Sequence, residues 1–260
     1  MRKVFIISII ISFCFICFTG CNSKNSKVLI TAHRGASGLA PENTMSAMIK
    51  AIECGSDFAE LDVQETKDGQ IVLLHDETLL RTANIPKGMW ELNYADLKDV
   101  NVGSWFSDEF KGEPVPTLAD VIDTVHGKMK LNIELKMNGH EQQLEERTLV
   151  IIEEKNFIQN CVVTSFKFSA IDKVRKLNPA IKVGYIFSKM PDDVDVFTAN
   201  VDLLSVNHKL VDKAFVDKAH ANGKEVHVYT VNEPNEMKHF IELGVDSIIT
   251  NRPDLLAKLL

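Results

Sequence analysis

Short apolar, β-branched runs alternate with segments of helical periodicity from residue 28 to the end of the chain. This alternation of predicted strands and helices is typical of a parallel sheet whose crossovers are helices. Nine runs have the composition of strands: Val28–Ala32, Phe58–Val63, Ile71–Leu74, Lys130–Leu135, Cys161–Ser165, Lys182–Phe187, Asp202–Val206, Glu225–Thr230 and Asp246–Thr250. Helices are predicted between most of them: Asn43–Cys54, Thr117–Val125, Glu141–Lys155, Ala170–Lys176, Asp212–Asn222 and Glu233–Leu243.

One of these predicted strands cannot belong to the parallel array. Only residues 64–70, with the turn signal Lys67-Asp68-Gly69, separate Phe58–Val63 from Ile71–Leu74. A parallel crossover needs a dozen or more residues, so this connection must be a hairpin and its second strand an antiparallel return. The remaining strands number eight, as in a (β/α)8 TIM barrel, and the chain after residue 20 has the usual size of that fold.

Residues 77–116 follow the hairpin and have the composition of a small packed insertion. Apolar side chains recur through it, with Trp105-Phe106 expected to be packed: Trp90, Leu92, Leu97, Trp105, Phe106 and Phe110. Because the hairpin rises above the carboxyl end of the barrel, the insertion is expected to shape a substrate pocket there. We therefore predict a single catalytic barrel domain over residues 28–260, with an insertion at about residues 77–116.

The first twenty residues are predicted to be a targeting segment. Arg2-Lys3 precedes the apolar run Val4–Phe18, which is too short to span a bilayer comfortably, and Phe18-Thr19-Gly20-Cys21 resembles a bacterial lipobox. On this interpretation Cys21 is lipidated, residues 21–27 form a polar tether, and the protein is an extracytoplasmic lipoprotein anchored to the membrane. A plain signal peptide and an N-terminal anchor helix are the alternatives.

The charge balance argues against nucleic acid as a partner, and the cysteines give no sign of a disulfide. The net charge of −7 becomes −9 once Arg2 and Lys3 are removed, and no basic stripe could follow a nucleic-acid backbone. Only Cys54 and Cys161 lie in the predicted barrel, in apolar contexts typical of small buried residues. A disulfide between them is an alternative that no sequence feature supports.

Two successive barrel strands carry carboxylates on one face. Because residues two apart on a strand point the same way, Glu60 and Asp62 lie side by side, and so do Glu134 and Lys136. Burying carboxylates together is costly unless a cation compensates them. Carboxylate oxygens suit a hard divalent cation, Ca²⁺ or Mg²⁺, although ion pairs with Arg or Lys are the structural alternative.

Other polar residues are predicted at the same end of the barrel. Arg34 offers a planar fork for phosphate and Lys136 a point charge. His33 follows the first strand and His75 follows the hairpin, and histidines exchange protons near neutral pH. A hard metal, phosphate-binding cations and two histidines together indicate phosphoryl chemistry with acid–base catalysis.

The remaining histidines contribute less to this picture. His208 follows a predicted strand and could reach the mouth of the barrel, whereas the others do not stand at strand ends: His126, His140, His220, His227 and His239. Asp76 is expected to orient His75 or to cap the following turn.

Eight short motifs resemble, in order, those of the glycerophosphodiester phosphodiesterase family. Each motif alone is weak evidence, but together they span essentially the whole chain from residue 28 to 260. They are His33-Arg34-Gly35, Pro41-Glu42-Asn43-Thr44, Glu60-Leu61-Asp62-Val63, His75-Asp76, Gly103-Ser104-Trp105-Phe106, Pro116-Thr117-Leu118, Glu134-Leu135-Lys136 and Thr230-Val231-Asn232.

The resemblance implies a metal-dependent barrel enzyme that cleaves glycerophosphodiesters to glycerol 3-phosphate and an alcohol. It implies that the glycerol 2-hydroxyl is the nucleophile and that water opens a cyclic phosphate. It also implies a role for each candidate residue: Glu60, Asp62 and Glu134 as metal ligands, His33 and His75 as acid and base, Arg34 and Lys136 as phosphate ligands, Glu42 as an orienting residue, and Tyr229 as an aromatic wall for glycerol.

Three positions depart from the family pattern. Tyr229 stands where Trp is frequent, Asn251 where Asp is common, and Leu80 where an acid is usual. None of them removes a candidate ligand or histidine. A phospholipase D-like or phosphatidylinositol phospholipase-like enzyme acting on intact lipids is the alternative function, and a non-catalytic binding lipoprotein is a further one.

Overall fold

A computed structural model describes residues 27–260, so the predicted leader, Cys21 and most of the tether lie outside the described residues. The strands are β1 Leu29–Ala32, β2 Phe58–Glu65, β3 Ile71–Leu73, β4 Lys130–Leu135, β5 Cys161–Ser165, β6 Lys182–Phe187, β7 Leu203–Asn207, β8 Glu225–Tyr229 and β9 Ser247–Thr250. The helices are α1 Met45–Glu53, α2 Leu80–Ala83, α3 Leu118–Val125, α4 Leu144–Glu154, α5 Phe168–Leu177, α6 Lys213–Ala221, α7 Pro234–Leu243 and α8 Pro253–Ala257.

Eight of the strands form a closed parallel barrel, which confirms the predicted fold class. The order around the barrel is β1-β9-β8-β7-β6-β5-β4-β2, and the pairing of β1 with β2 closes it. Strand β3 runs antiparallel to the end of β2, with Val63 opposite Leu73 and Glu65 opposite Ile71. This hairpin carries the chain above the barrel and back toward its mouth.

The strands separate two environments because successive side chains alternate between faces. On β2 and β4 the outward side chains are fully or almost fully buried under the helices: Leu61, Val63, Ile133 and Leu135. The helices present matching apolar faces, as α3 does with Leu118, Val121, Ile122 and Val125. The inward side chains of the same strands are largely polar, so the barrel interior is the place where chemistry can be built.

The insertion packs on a small core of its own. Its apolar side chains form a buried cluster with two residues of the hairpin, consisting of Val72, Leu74, Leu79, Met89, Leu92, Leu97, Val102 and Val115. Trp105 does not fit the expectation of a packed Trp-Phe pair, since the residue is 40% exposed. Its indole Nε1 donates to the Val102 carbonyl at 2.8 Å, and its ring lies against the Arg81 guanidinium, 5.3 Å from centroid to Cζ.

Element boundaries differ from the sequence-based ones by one to three residues. β7 begins at Leu203 and not, as predicted, at Asp202, whose carboxylate makes two contacts. It accepts the Val183 backbone N–H at 2.8 Å and pairs with Arg175. Cys54 and Cys161 are both free, which excludes the disulfide alternative. Within residues 27–260 no helix has the length and hydropathy needed to cross a membrane.

Candidate active site

The carboxyl ends of the barrel strands surround a cavity of about 150 Å³. Its polar lining comes from most of the residues that the sequence singled out: His33, Arg34, Glu60, His75, Glu134 and Tyr229. Phe166 and Ile186 supply part of an apolar wall, and Tyr229 packs edge-on against Phe166 with ring centroids 6.2 Å apart. Asp62, Lys136 and Glu42 complete the set through direct contacts with these lining residues.

Glu60, Asp62 and Glu134 meet in one cluster. They reach it from β2 and β4, where Asp62 is in register with Glu134. Each offers a carboxylate oxygen, and the three oxygens lie within 4.8 Å of one another. All three side chains are buried, so their mutual repulsion is poorly screened by water.

The crowding of these carboxylates shifts their proton affinities in different directions. Burial and the neighbouring carboxylates raise the pKa of Glu60 well above its ordinary value. Burial and Asp62 raise the pKa of Glu134 to about 7. Burial acts the same way on Asp62, but Lys136 and the other cationic and hydrogen-bonding neighbours outweigh it and lower the pKa of Asp62. The cluster therefore keeps its full negative charge only with a compensating cation.

Asp62 has the most constrained position in this cluster. The Asn43 side chain donates to Asp62 Oδ2 at 2.7 Å and accepts the Asp62 backbone N–H at 3.0 Å. Oδ1 is buried and makes no hydrogen bond within residues 27–260, although Lys136 Nζ lies 3.5 Å away. Lys136 Nζ also donates to Glu134 Oε1 at 2.9 Å.

The loop after β1 places Arg34 over the carboxylates. Arg34 has a left-handed backbone with φ of 55°, and its N–H donates to Glu60 Oε2 at 2.7 Å. Gly35 follows with φ of 75°, and a Cβ there would lie 2.7 Å from the backbone of Ala47. Only glycine fits at this position, which explains the Gly of the His-Arg-Gly motif.

His33 has different partners on its two ring nitrogens. Nδ1 lies 2.7 Å from Asn251 Oδ1, which also accepts from the Ser37 hydroxyl at 3.1 Å. Because an amide oxygen only accepts, Nδ1 carries the proton and Nε2 of the neutral ring is free to take one. Nε2 lies 4.0 Å from Glu60 Oε2. Burial, together with the charge of Arg34, lowers the pKa of His33 to about 4, so the ring is neutral near pH 7.

His75 is held by a carboxylate instead of an amide. Its Nδ1 lies 2.9 Å from Asp76 Oδ1, and Arg81 donates to both Asp76 oxygens at 2.7 and 3.0 Å. The Arg81 hydrogen bonds, assisted by the one from His75, lower the pKa of Asp76 to about 2. Asp76 is therefore ionised in the pH range of interest and fixes the proton of His75 on Nδ1.

A chain of charged groups links the phosphate-binding candidate to this histidine. Arg34 Nη1 donates to Glu42 Oε1 at 2.8 Å, and Arg81 grips the same carboxylate at 2.7 and 3.0 Å. The sequence Arg34, Glu42, Arg81, Asp76, His75 is thus continuous. It connects the loop after β1 with the insertion.

The structure adds residues to the site and removes one candidate. Arg81, Asn43 and Asn251 were not assigned site roles from the sequence, although Asn43 lies in a quoted motif and Asn251 is one of the positions that depart from the family pattern. His208 does not line the cavity; it lies in a short 3₁₀ helix and packs against Phe240, with ring centroids 6.3 Å apart. The Tyr229 hydroxyl is buried without a hydrogen-bond partner among the described residues, and burial beside Glu134 raises its pKa.

A closed parallel barrel whose carboxyl mouth holds three carboxylates, two basic side chains and two histidines defines a TIM-barrel enzyme with an acidic centre whose oxygen atoms suit a metal ion. A model of the glycerophosphoryl diester phosphodiesterase family matches residues 33–255. The chain belongs to that family.

Individual relatives align with this chain over nearly their full lengths. The chain is 33% identical over 242 residues to a glycerophosphodiester phosphodiesterase of Caldanaerobacter subterraneus, covering 90% of this chain and 98% of that protein. It is 32% identical over 237 residues to one of Bacillus altitudinis, covering 88% and 97%. A phosphodiesterase of Oleispira antarctica, solved with the product sn-glycerol-3-phosphate, superposes with a TM-score of 0.83 at 28% identity, covering 88% of this chain and 95% of that one.

Proposed function

We propose that this protein hydrolyses glycerophosphodiesters to glycerol 3-phosphate and an alcohol. The observation that carries the proposal is the convergence of Glu60, Asp62 and Glu134 with two histidines at one barrel mouth. The family and the product named for the Oleispira antarctica structure support the same reaction.

The acidic cluster fits a hard divalent cation, Ca²⁺ or Mg²⁺. Three buried carboxylates supply oxygen ligands, and Asp62 Oδ1 lacks a hydrogen-bond partner among the described residues. The raised pKa of Glu60 and of Glu134 indicates charge that a cation would relieve. When bound, such an ion polarises a phosphoryl oxygen and neutralises charge that develops on it.

The histidines divide the proton transfers between them. His33, with Nε2 unprotonated, takes the proton of the glycerol 2-hydroxyl as that oxygen attacks phosphorus. His75 donates a proton to the leaving alcohol oxygen as the bond from phosphorus to that oxygen breaks. The roles then reverse, as His75 activates water to open the cyclic phosphate and His33 returns its proton to the 2-hydroxyl. Arg34 and Lys136 hold the phosphate, because a guanidinium fork and an ammonium both suit its oxygens.

The size of the cavity favours a small diester over an intact lipid. At about 150 Å³ it is below the usual range for drug-sized ligands and suits a glycerol phosphate group. Tyr229 and Phe166 offer an aromatic surface to the carbon backbone of glycerol. We infer no role for intact diacyl lipids, and the complete acid–base and carboxylate set opposes a purely binding function.

We also propose that the enzyme works outside the cytoplasm, attached to the membrane through lipidated Cys21. The support is the sequence alone: a basic start, the apolar run Val4–Phe18 and the lipobox-like Phe18–Cys21. Mass spectrometry of the processed N-terminus tests this directly. A lipid-modified Cys21 is expected, and an unmodified chain that retains Arg2 and Lys3 would refute it.

Release of glycerol 3-phosphate from glycerophosphocholine tests the reaction. Wild type is expected to be active with Ca²⁺ or Mg²⁺ and inactive in EDTA, and His33→Ala is expected to be inactive in both. His239→Ala, on an exposed helix position, is the matched control and should behave as wild type. Activity that survives EDTA and the loss of His33 would refute the metal and histidine assignments, whereas cleavage of lipid vesicles but of no soluble diester would favour the intact-lipid alternative.

A further inference from the structure

A second cleft lies at the amino-terminal end of the barrel, away from the active-site mouth. It measures about 450 Å³ and lies where the turn before β2 meets the turn before β4. Its polar lining consists of Ser56, Asp57, Lys128, Lys130 and Asn160. The active site uses none of these residues.

Ser56 indicates that the cleft is built for a ligand. The residue is only 6% exposed, and its hydroxyl has no hydrogen-bond partner in the described part of the chain. Its backbone N–H is already engaged with the Ala51 carbonyl at 3.1 Å. A buried hydroxyl without a partner is rare and costly, so a ligand oxygen in this cleft would satisfy it.

The charges around Ser56 select an anion. Lys128 and Lys130 are exposed, and neither has a carboxylate within 4.0 Å in residues 27–260. Lys128 Nζ donates to the Thr124 carbonyl at 3.0 Å, and Lys130 Nζ lies 5.7 Å from the centroid of the Phe58 ring. Asp57 is occupied, since its Oδ2 accepts the Ile30 backbone N–H at 2.8 Å. Two ammonium groups and a free hydroxyl suit phosphate.

Several other acids at this end of the barrel already have partners. Asp202 pairs with Arg175 and Glu225 with Lys182, and the His220 ring contacts Asp246 at 2.8 Å. Glu154 and Glu242 lie in the last turns of the outer helices α4 and α7, and within residues 27–260 neither forms an ion pair with Lys128 or Lys130. The cleft therefore presents positive charge on a protein whose net charge is −7.

The chain enters the barrel beside this cleft. Lys27 is exposed directly before β1, and the Asp57 N–H donates to the Ile30 carbonyl at 3.0 Å, which joins the start of β1 to the cleft. Residues 22–27 can span at most roughly 20 Å, so an anchor at Cys21 keeps this end of the barrel near the bilayer. The opposite end carries the insertion, where residues 77–116 contain seven acidic and four basic side chains.

We propose that the cleft formed by Ser56, Lys128 and Lys130, the basal cleft, binds the phosphate head group of an anionic phospholipid. It docks the amino-terminal end of the barrel on the bilayer, and Lys27 adds to the attraction. The active-site mouth then faces the water, where soluble glycerophosphodiesters diffuse. The proposal rests on the membrane attachment of Cys21 and adds a defined orientation to it.

Lysine acetylation by a membrane-impermeant reagent, read by mass spectrometry, tests this orientation on the full lipidated chain. The protein is placed in phosphatidylcholine vesicles with or without phosphatidylglycerol, or in neutral detergent with inorganic phosphate. With phosphatidylglycerol, Lys27, Lys128 and Lys130 are expected to react roughly tenfold more slowly, and high salt should abolish the difference. Lys167, Lys189 and Lys209, at the mouth, are internal controls that should keep their reactivity.

Variants distinguish binding in the basal cleft from general electrostatic attraction to an anionic membrane. Lys128→Gln/Lys130→Gln and Ser56→Ala should each restore the reactivity of Lys27 on anionic vesicles toward the neutral-vesicle level, the double variant more fully. Lys189→Gln/Lys209→Gln is the matched control and should change nothing. Equal protection of basal and mouth lysines would overturn the proposal, and so would protection by inorganic phosphate with no further effect of phosphatidylglycerol. Glycerol 3-phosphate release from the same samples reports on the proposed reaction separately, since these variants leave the active site intact.

Discussion

The two faces of β2 and β4 bury opposite kinds of side chain. The outward face carries Leu61, Val63, Ile133 and Leu135, all buried under helices. The inward face of the same strands carries Glu60, Asp62 and Glu134, equally buried but mutually repelling. Burial on the first face stabilises the fold, whereas burial on the second creates a demand for a cation and strengthens every charge in the pocket.

Residues that stabilise the fold and residues of the candidate active site therefore alternate along the same strands. Substitutions on the inward face should remove activity while leaving the fold intact or even more stable. Substitutions on the outward face should destabilise the fold while leaving the activity of the folded fraction unchanged.

Asp62→Asn should reduce kcat/KM for glycerophosphocholine roughly 10⁴-fold, because it removes a charged ligand from the acidic cluster. This loss corresponds to about 5 kcal/mol of transition-state stabilisation. The melting temperature without added metal should change little, since the repulsion from Glu60 and Glu134 that is relieved offsets the lost attraction to Lys136 and Arg34. Steady-state kinetics and thermal unfolding check the two halves. Asp217→Asn, on the exposed face of α6, is the control, and equal losses in both variants would break the division.

His33→Gln should reduce kcat by about 10³-fold with a much smaller change in KM, because the proposed role of the ring is proton transfer and not ground-state binding. Metal affinity should be retained, which separates this variant from Asp62→Asn. Titration with Ca²⁺ or Mg²⁺ alongside steady-state kinetics measures both. A change confined to KM would contradict the role of base.

Ile133→Ala should destabilise the protein by about 3 kcal/mol, because a fully buried side chain leaves a cavity between the barrel and its helices. Activity per folded molecule should remain at the wild-type level. Denaturant unfolding and kinetics under strongly native conditions provide the test. Val150→Ala, half-exposed on α4, should cost far less, and a comparable loss there would contradict the assignment of the core.

Loss of the Asp76 charge, in the chain of charged groups beside the mouth, should have the smallest effect, about 1 kcal/mol on the free energy of unfolding. Asp76 has a folded pKa of about 2, below its ordinary value, so its contribution is present above pH 4 and is lost as the pH falls toward 2. The contribution is modest because Asp76 is partly exposed and screened by water. Asp76→Asn should show a shallower loss of stability between pH 4 and 2 than wild type, and parallel curves would contradict the pairing with Arg81.

The sequence was sufficient to predict the features of this site that follow from local strand geometry. The two-residue spacing of Glu60 with Asp62, and of Glu134 with Lys136, was enough to place them on the inner face. The short connection of residues 64–70 was enough to reduce nine candidate strands to eight. Both inferences depend on backbone geometry that any strand shares.

The parts that the sequence missed depend on contacts between distant segments. Arg81 reaches Glu42 only because the insertion folds back over the loop after β1, and no local pattern encodes that approach. Asn251 acquires its role from the position of His33, more than two hundred residues earlier. Trp105 stays 40% exposed with its ring against Arg81, whereas its place in the Gly-Ser-Trp-Phe motif predicted a packed side chain.

Direct measurement of divalent-cation binding to the unmodified active site tests the central claim, that the inward face of β2 and β4 is a metal centre and the outward face a core. Isothermal titration with Ca²⁺ and with Mg²⁺ would be performed on wild type, Asp62→Asn and Ile133→Ala. If the three carboxylates form a metal centre, we expect one site per chain for at least one of the two ions in wild type and in Ile133→Ala. We expect loss of that site in Asp62→Asn. Equal binding by wild type and Asp62→Asn, or no binding by wild type, would contradict it.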